Sequence, residues 1–134
     1  PCQQLVVIGL SARGPQGMLL CGNLRFPCAL GRSGRRPVKS EGDGATPIGR
    51  FALQQVLYRA DRVPRPRTLL PVSAIRPADG WCDAPPDRNY NRKVRHPYPA
   101  RAERLWRSDH LYDLIVVRFV YGGSFTQHFI YTFI

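Results

Sequence analysis

The sequence predicts a mainly β protein: a single-domain, β-sandwich or barrel-like fold of short strands with one short helix. Its 134 residues include 12 glycines and 13 prolines, which stand between short apolar runs and indicate many turns. Several of these runs are rich in Val, Ile and Leu, which is typical of buried strands. A chain of this length buries roughly two-thirds of the surface that its unfolded form exposes, so it can build a core without metals or disulfides.

The first strands are predicted to form a meander. Residues 5–10 (LVVIGL) are a β-branched run closed by glycine and serine, which is typical of a strand. Residues 18–21 and 26–30 are two further apolar runs, separated by Gly, Asn or Pro. Residues 31–49 carry five glycines and two prolines. We therefore expect a long irregular surface loop there, of the kind that is usually functional or disordered in a compact domain.

The second half of the chain predicts fewer regular elements. Residues 50–58 (RFALQQVLY) fit either a strand or a short helix. Residues 61–88 are rich in proline but keep apolar side chains that a disordered linker lacks. Residues 100–108 (ARAERLWRS) are the best helix candidate, and residues 111–117 (LYDLIVV) are the strongest strand. Three side chains of that helix fall near one face: Ala102, Leu105 and Trp106.

The charge is strongly positive. The formal net charge is +11, and 18 of the 20 basic residues are arginine. A cationic face suits phosphates, nucleic acid or an anionic cell-wall polymer, but it is also compatible with an ordinary solvated surface. None of the arginine runs matches a nucleic-acid motif, because RNA-recognition aromatics, zinc-finger spacing and basic-helix heptads are all missing. We therefore expect no nucleic-acid partner, and a basic nucleic-acid-binding domain is kept only as an alternative.

Membrane and targeting segments are not predicted. No stretch approaches the roughly 20 apolar residues that cross a bilayer. The first 20 residues lack the basic region, apolar run and cleavage site of a signal peptide. We expect neither a transmembrane segment nor a signal peptide in this sequence.

The four cysteines do not predict a metal site. Cys2, Cys21, Cys28 and Cys82 lack the two-residue spacing of zinc ribbons and redox dithiols. An even count permits two disulfides in three connectivities. For Cys21 and Cys28 we favour free, buried, structural thiols. No metal and no cofactor is expected.

Spacing alone gives little catalytic information. The segment 31–34 (GRSG) lacks the second glycine position of a nucleophile elbow. The three histidines, His96, His110 and His128, are dispersed and fit a base, an acid or a packing residue. Trp81 and residues 87–91 (DRNYN) place aromatic and amide groups in a polar loop, which suits peptide or glycan binding as well as ordinary loop anchoring.

Five motifs in order resemble one family. They are residues 28–34 (CALGRSG), 39–49 (KSEGDGATPIG), 80–83 (GWCD), 90–91 (YN) and 105–113 (LWRSDHLYD). This set is similar to the L,D-transpeptidase catalytic domain in its short, single-domain bacterial form, and the similarity spans about residues 5–117.

The resemblance implies a β-rich domain that remodels peptidoglycan. A cysteine thiolate attacks the amide after the diamino acid of a tetrapeptide stem, D-alanine leaves, and an amine resolves the thioester. A histidine serves as base, backbone N–H groups hold the oxyanion, and no metal or cofactor takes part. The implied partners are peptidoglycan stem peptides, and the implied protein is a monomer of the bacterial cell envelope or periplasm. The resemblance suggests five substrate-binding residues: Trp81, Tyr90, Asn91, Arg107 and Tyr112.

The C-terminal residues depart from the family pattern. Members continue after the strand at 111–117 into a histidine element and a Gly-Cys nucleophile segment, whereas this sequence has no cysteine after Cys82. His128, after Gly123-Ser124, is the candidate base. Cys82 lies beside Trp81, but family members carry a cysteine there besides the nucleophile, so it is not expected to substitute.

We therefore expect residues 1–117 to be an incomplete L,D-transpeptidase-like domain. Residues 118–134 are expected to be a divergent tail, from a frameshift or a truncation. The expected activity is cysteine-dependent acyl transfer by family, inactive in this chain because the nucleophile is missing. The alternative is a non-catalytic cell-wall-binding module.

Overall fold

The computed structural model describes residues 2–38, 40 and 42–118, and it describes residues 130–132 as a strand only. These residues form two compact units, Pro1–Arg50 and Phe51–Ile134. Twelve strands and no helix occur in the described part of the chain. The predicted mainly β fold class is confirmed, as several small sheets rather than a closed barrel in the residues described.

The first unit begins with the predicted meander. Strands β1 (Leu5–Gly9), β2 (Gln16–Cys21) and β3 (Leu24–Ala29) pair antiparallel in the order β1-β2-β3. The turn between β2 and β3 contains Gly22 at φ 58°, a left-handed conformation that glycine adopts without steric cost. The short apolar runs and the glycine between them therefore both favour this hairpin.

The long glycine-rich loop is irregular, as predicted, but it is braced by hydrogen bonds. Strands β4 (Arg35–Arg36) and β5 (Thr46–Pro47) pair in parallel across it. The Gly31 N–H donates to Thr46 Oγ1 at 2.7 Å, and the Ser33 N–H donates to the Gly44 carbonyl at 3.0 Å. A Cβ on Gly31 would lie 2.3 Å from the Gly44 carbonyl oxygen, so this close backbone approach requires glycine.

One cysteine prediction is wrong. Cys21 was expected to be a free thiol, but it forms a disulfide with Cys2. The two Cα atoms lie 5.6 Å apart, within the range that a disulfide spans. The antiparallel register pairs Leu5 with Cys21, so the residues just before β1 lie beside the end of β2. Cys28 is free and half-buried, and Cys82 is free and buried.

The second unit contains a four-stranded sheet and its core. Strands β6 (Leu53–Tyr58), β7 (Val72–Ala74), β11 (Leu114–Arg118) and β12 (Ile130–Thr132) follow the order β12-β11-β6-β7. Strand β6 settles the ambiguity at residues 50–58 in favour of a strand. Strand β11 confirms the strand predicted at residues 111–117 from Leu114 onward, whereas residues 111–113 lie in the turn before it. The core cluster consists of six buried side chains: Leu57, Ile75, Trp81, Leu105, Ile115 and Val117.

A three-stranded sheet replaces the predicted helix. Strands β8 (Asp79–Cys82), β9 (Lys93–Arg95) and β10 (Ala102–Arg104) are antiparallel in the order β10-β8-β9. The helix expected at residues 100–108 is wrong, because β10 pairs with β8 and Leu105 is fully buried beyond it. Cross-strand pairing and burial outweigh a weak local helix pattern.

No helix in the described residues is long and apolar enough to cross a membrane.

Candidate functional site

Three of the five sequence-predicted binding residues lie around Glu103. Glu103 faces Trp81 across the β10-β8 pair, and its carboxylate accepts a hydrogen bond from the Tyr112 hydroxyl at 2.5 Å. Burial and this hydrogen bond raise the pKa of Tyr112, because both favour the neutral phenol. The Trp81 indole is buried in the core cluster, whereas Tyr112 packs against that cluster and is half-buried.

Arg107 joins the same group through the Tyr112 ring. Its guanidinium carbon lies 5.6 Å from the ring centroid, within cation–π range. Its Nε and Nη2 donate to the two carboxylate oxygens of Asp109 at 2.9 and 2.5 Å. This pairing lowers the pKa of Asp109 to about 2 and raises that of Arg107. Arg107 is thus an accessible cation held in a fixed orientation.

Arg62 braces the loop that carries Arg107 and Tyr112. Its Nη1 donates to the Asp109 carbonyl at 2.5 Å and to Asp113 Oδ1 at 2.8 Å, and its Nη2 donates to the Ser108 carbonyl at 3.0 Å. These contacts hold the pKa of Asp113 below its usual range. The loop is therefore fixed by a side chain from the turn after β6.

Arg59 supports the loop next to Arg62. It is buried, and its guanidinium stacks 3.7 Å from the centroid of the Trp106 ring. Its Nη1 donates to the Arg107 carbonyl at 2.7 Å, while Nε and Nη2 bond the Asp61 carboxylate. A buried guanidinium needs this set of partners to offset its desolvation.

Tyr90 and Asn91 lie in the turn that follows β8. The Asn91 N–H donates to the Cys82 carbonyl at 2.9 Å, and the Tyr90 N–H donates to the Asp87 carbonyl at 3.0 Å. Asn91 is buried and has φ 58°, a conformation that asparagine tolerates better than most residues. Their turn begins directly after β8, two residues beyond Trp81.

A polar network stabilises the same turn. The Tyr98 hydroxyl donates to Asp87 Oδ1 at 2.7 Å and accepts from Asn89 Nδ2 at 2.8 Å. The pKa of Asp87 is lowered, first by the Asn89 backbone N–H and then by the Tyr98 hydroxyl, with a smaller contribution from the Cys82 thiol. The network fixes the backbone that carries Tyr90 and Asn91.

The four cysteines do not include an exposed, activated thiol. Cys2 and Cys21 are joined in a disulfide, and Cys82 is fully buried. Burial raises the pKa of Cys28, the opposite of what a nucleophilic cysteine requires. The candidate base His128 lies outside the described residues. No group of three metal-ligating side chains occurs in the described part of the chain.

Sequence reasoning named Arg107 and Tyr112 but missed Glu103, the partner of Tyr112, and Arg62, which braces their loop. The only local signal was the segment 105–113, which contains the charged residues Arg107, Asp109 and Asp113. Arg62 is 51 residues away from Asp113 in the chain, so no local pattern links them.

Comparisons of this chain with protein-family models, with curated proteins and with solved structures found no match. The resemblance to the L,D-transpeptidase domain therefore stays a prediction from the five motifs.

Proposed function

We propose that this chain is an L,D-transpeptidase-type domain that binds peptidoglycan stem peptides without itself transferring the acyl group. The observation that carries the proposal is the braced loop at residues 105–113, which presents Arg107 beside Tyr112. A guanidinium next to an aromatic ring suits a ligand with carboxylates and short aliphatic side chains, such as a stem peptide.

The expected lack of catalysis follows from the environments of the two free cysteine thiols. Acyl transfer of this type needs an accessible thiolate within reach of a base. Cys82 is fully buried, and Cys28 is half-buried with a raised pKa. Neither thiol meets the requirement, so we expect no acyl-enzyme.

The proposal implies a monomer acting in the bacterial cell envelope or periplasm. The Cys2–Cys21 disulfide supports this location, because disulfides persist mainly in oxidising compartments.

Sedimentation with purified peptidoglycan sacculi tests the binding. We expect the wild-type chain to co-sediment at moderate salt, and Arg107→Gln to reduce retention about three- to tenfold through loss of a charge-assisted hydrogen bond. Arg67→Gln is the matched control, because it removes an exposed arginine outside the loop. Equal retention of both variants would contradict the role of Arg107. No wild-type retention would refute the binding itself.

A second assay tests the absence of chemistry. Incubation with a tetrapeptide stem should release no D-alanine and leave the intact protein mass unchanged. A thioester adduct on either free cysteine would overturn this part of the proposal. Steeply salt-dependent binding to duplex DNA that exceeds binding to sacculi would instead favour the nucleic-acid alternative.

A further inference from the structure

His110 is an exposed imidazole with a fixed orientation. Its Nδ1 lies 2.6 Å from Asp113 Oδ2, and its side chain is 75% exposed, against 14% for Asp113. The Nε2 atom has no partner among the described residues. A mostly buried carboxylate thus anchors the ring on one side and leaves the other nitrogen available.

The charge around His110 is not neutralised when the ring is protonated. Asp113 bonds His110 through Oδ2 and Arg62 through Oδ1, at 2.6 and 2.8 Å. One carboxylate therefore faces two cations, which leaves one net positive charge on the cluster. The nearest other acid on the loop, Asp109, is already paired with Arg107 through both of its oxygens.

We propose that protonated His110 binds a ligand carboxylate through its Nε2–H. This inference rests on the proposed function only in naming a stem peptide as the source of the carboxylate. An N–H donor with a net positive charge behind it favours an anionic acceptor. The site loses its donor charge when the imidazole is deprotonated, so binding weakens as the pH rises.

The pH dependence belongs to His110 because its charged neighbours keep their charges. Arg62 lies on the turn after β6, and Arg107 lies on the same loop; both are guanidinium groups and stay protonated. The pKa values of Asp109 and Asp113 are lowered by these partners, so both stay ionised in the range where histidine titrates.

Nuclear magnetic resonance of the full chain tests the site with acetyl-D-alanine as the probe and its uncharged amide as the matched ligand. At about pH 5.5 we expect acetyl-D-alanine, but not the amide, to shift the His110 Cε1–H signal, which His110→Gln identifies by its loss. At about pH 8 neither ligand should shift it. At the lower pH, His110→Gln should weaken binding by about 1.5- to fivefold, the range for exposed charge pairs.

His96→Gln is the control variant and should bind like the wild type, because the His96 Nε2 atom is buried. Equal binding at both pH values, or unchanged affinity in His110→Gln, would overturn the proposal. Failure of this site is distinguishable from failure of the proposed function. Carboxylate binding at His110 without retention on sacculi contradicts only the proposed function, whereas retention that ignores both pH and His110→Gln contradicts only the His110 site.

Discussion

Replacing Leu105 by alanine should destabilise the protein strongly, because Leu105 anchors the start of the loop at residues 105–113 in the core. The side chain is fully buried, within the cluster of Leu57, Ile75 and Trp81. Its N–H also donates to the Asp79 carbonyl at 3.1 Å, which alanine preserves. The substitution therefore isolates the packing contribution of the side chain.

The magnitude follows from the burial. Leu105→Ala removes three carbon groups from a fully buried site, a loss of about 2 kcal/mol of transfer free energy. The cavity that remains adds about 1–2 kcal/mol. We expect the free energy of unfolding to fall by about 3–4 kcal/mol. Leu111→Ala is the matched control: Leu111 is 44% exposed, so its loss should cost about 1 kcal/mol or less.

Urea unfolding followed by tryptophan fluorescence measures both variants. With a slope of about 2 kcal/mol per molar urea, Leu105→Ala should move the midpoint by about 1.5–2 M, and Leu111→Ala by less than about 0.5 M. Similar midpoints for the two variants would refute the inference that residues 102–104 form an edge strand followed by the buried Leu105. That result would reopen the helical alternative at residues 100–108.

Three further substitutions test electrostatics and the disulfide. Above about pH 10 the wild type should lose stability, because the pKa of Tyr112 is raised on folding and only the unfolded phenol ionises there. Tyr112→Phe should lack this loss, which alkaline denaturation curves measure. The pKa of Asp109 is about 2 in the folded protein against an ordinary 3.8, so the stability that its carboxylate contributes is lost as the pH falls from about 4 to about 2. Asp109→Asn should make that fall in stability shallower, which the melting temperature measured against pH would show. Cys21→Ser removes the disulfide, which joins residues with a sequence separation of 19. Under oxidising conditions the free energy of unfolding measured in urea should fall by about 3 kcal/mol, and after reduction the variant and the wild type should not differ.

The strands that the sequence predicted correctly are those with strong local signals. Strand β1 is a short β-branched run, and the turn before β3 has a glycine at φ 58°. Strand β11 is equally apolar and β-branched. In these segments, side-chain composition and turn geometry give the same answer that tertiary packing gives.

The failed helix shows where local information ends. Ala102, Leu105 and Trp106 fit one face of a helix, but Ala102 pairs with Cys82 in the sheet and Leu105 is buried beyond the strand. The strand partner of Ala102 is Cys82 on β8, 20 residues earlier in the chain. A pattern within nine residues cannot contain that contact.

The candidate site likewise contains residues that the local sequence predicted and residues that it did not. Arg107 and Tyr112 were predicted, and their pairing is local. Glu103 and Arg62 were not, because the sheet brings Glu103 opposite Trp81 and the turn after β6 brings Arg62 to Asp113. Cys21 was predicted to be free because a free buried thiol is the commoner state. That prediction failed because the β1-β2 register brings Cys2 close to it.

Cys82 holds the end of β8 against the turn that carries Tyr90. Its N–H donates to the Arg92 carbonyl, its carbonyl accepts the Asn91 N–H, and its thiol contributes to holding the Asp87 carboxylate ionised. All three interactions join β8 to the turn that carries Tyr90. The Cys82 thiol is fully buried, so it is not accessible to a substrate. Cys82, which was not expected to replace the missing nucleophile, therefore links the strand of Trp81 to the turn that carries Tyr90.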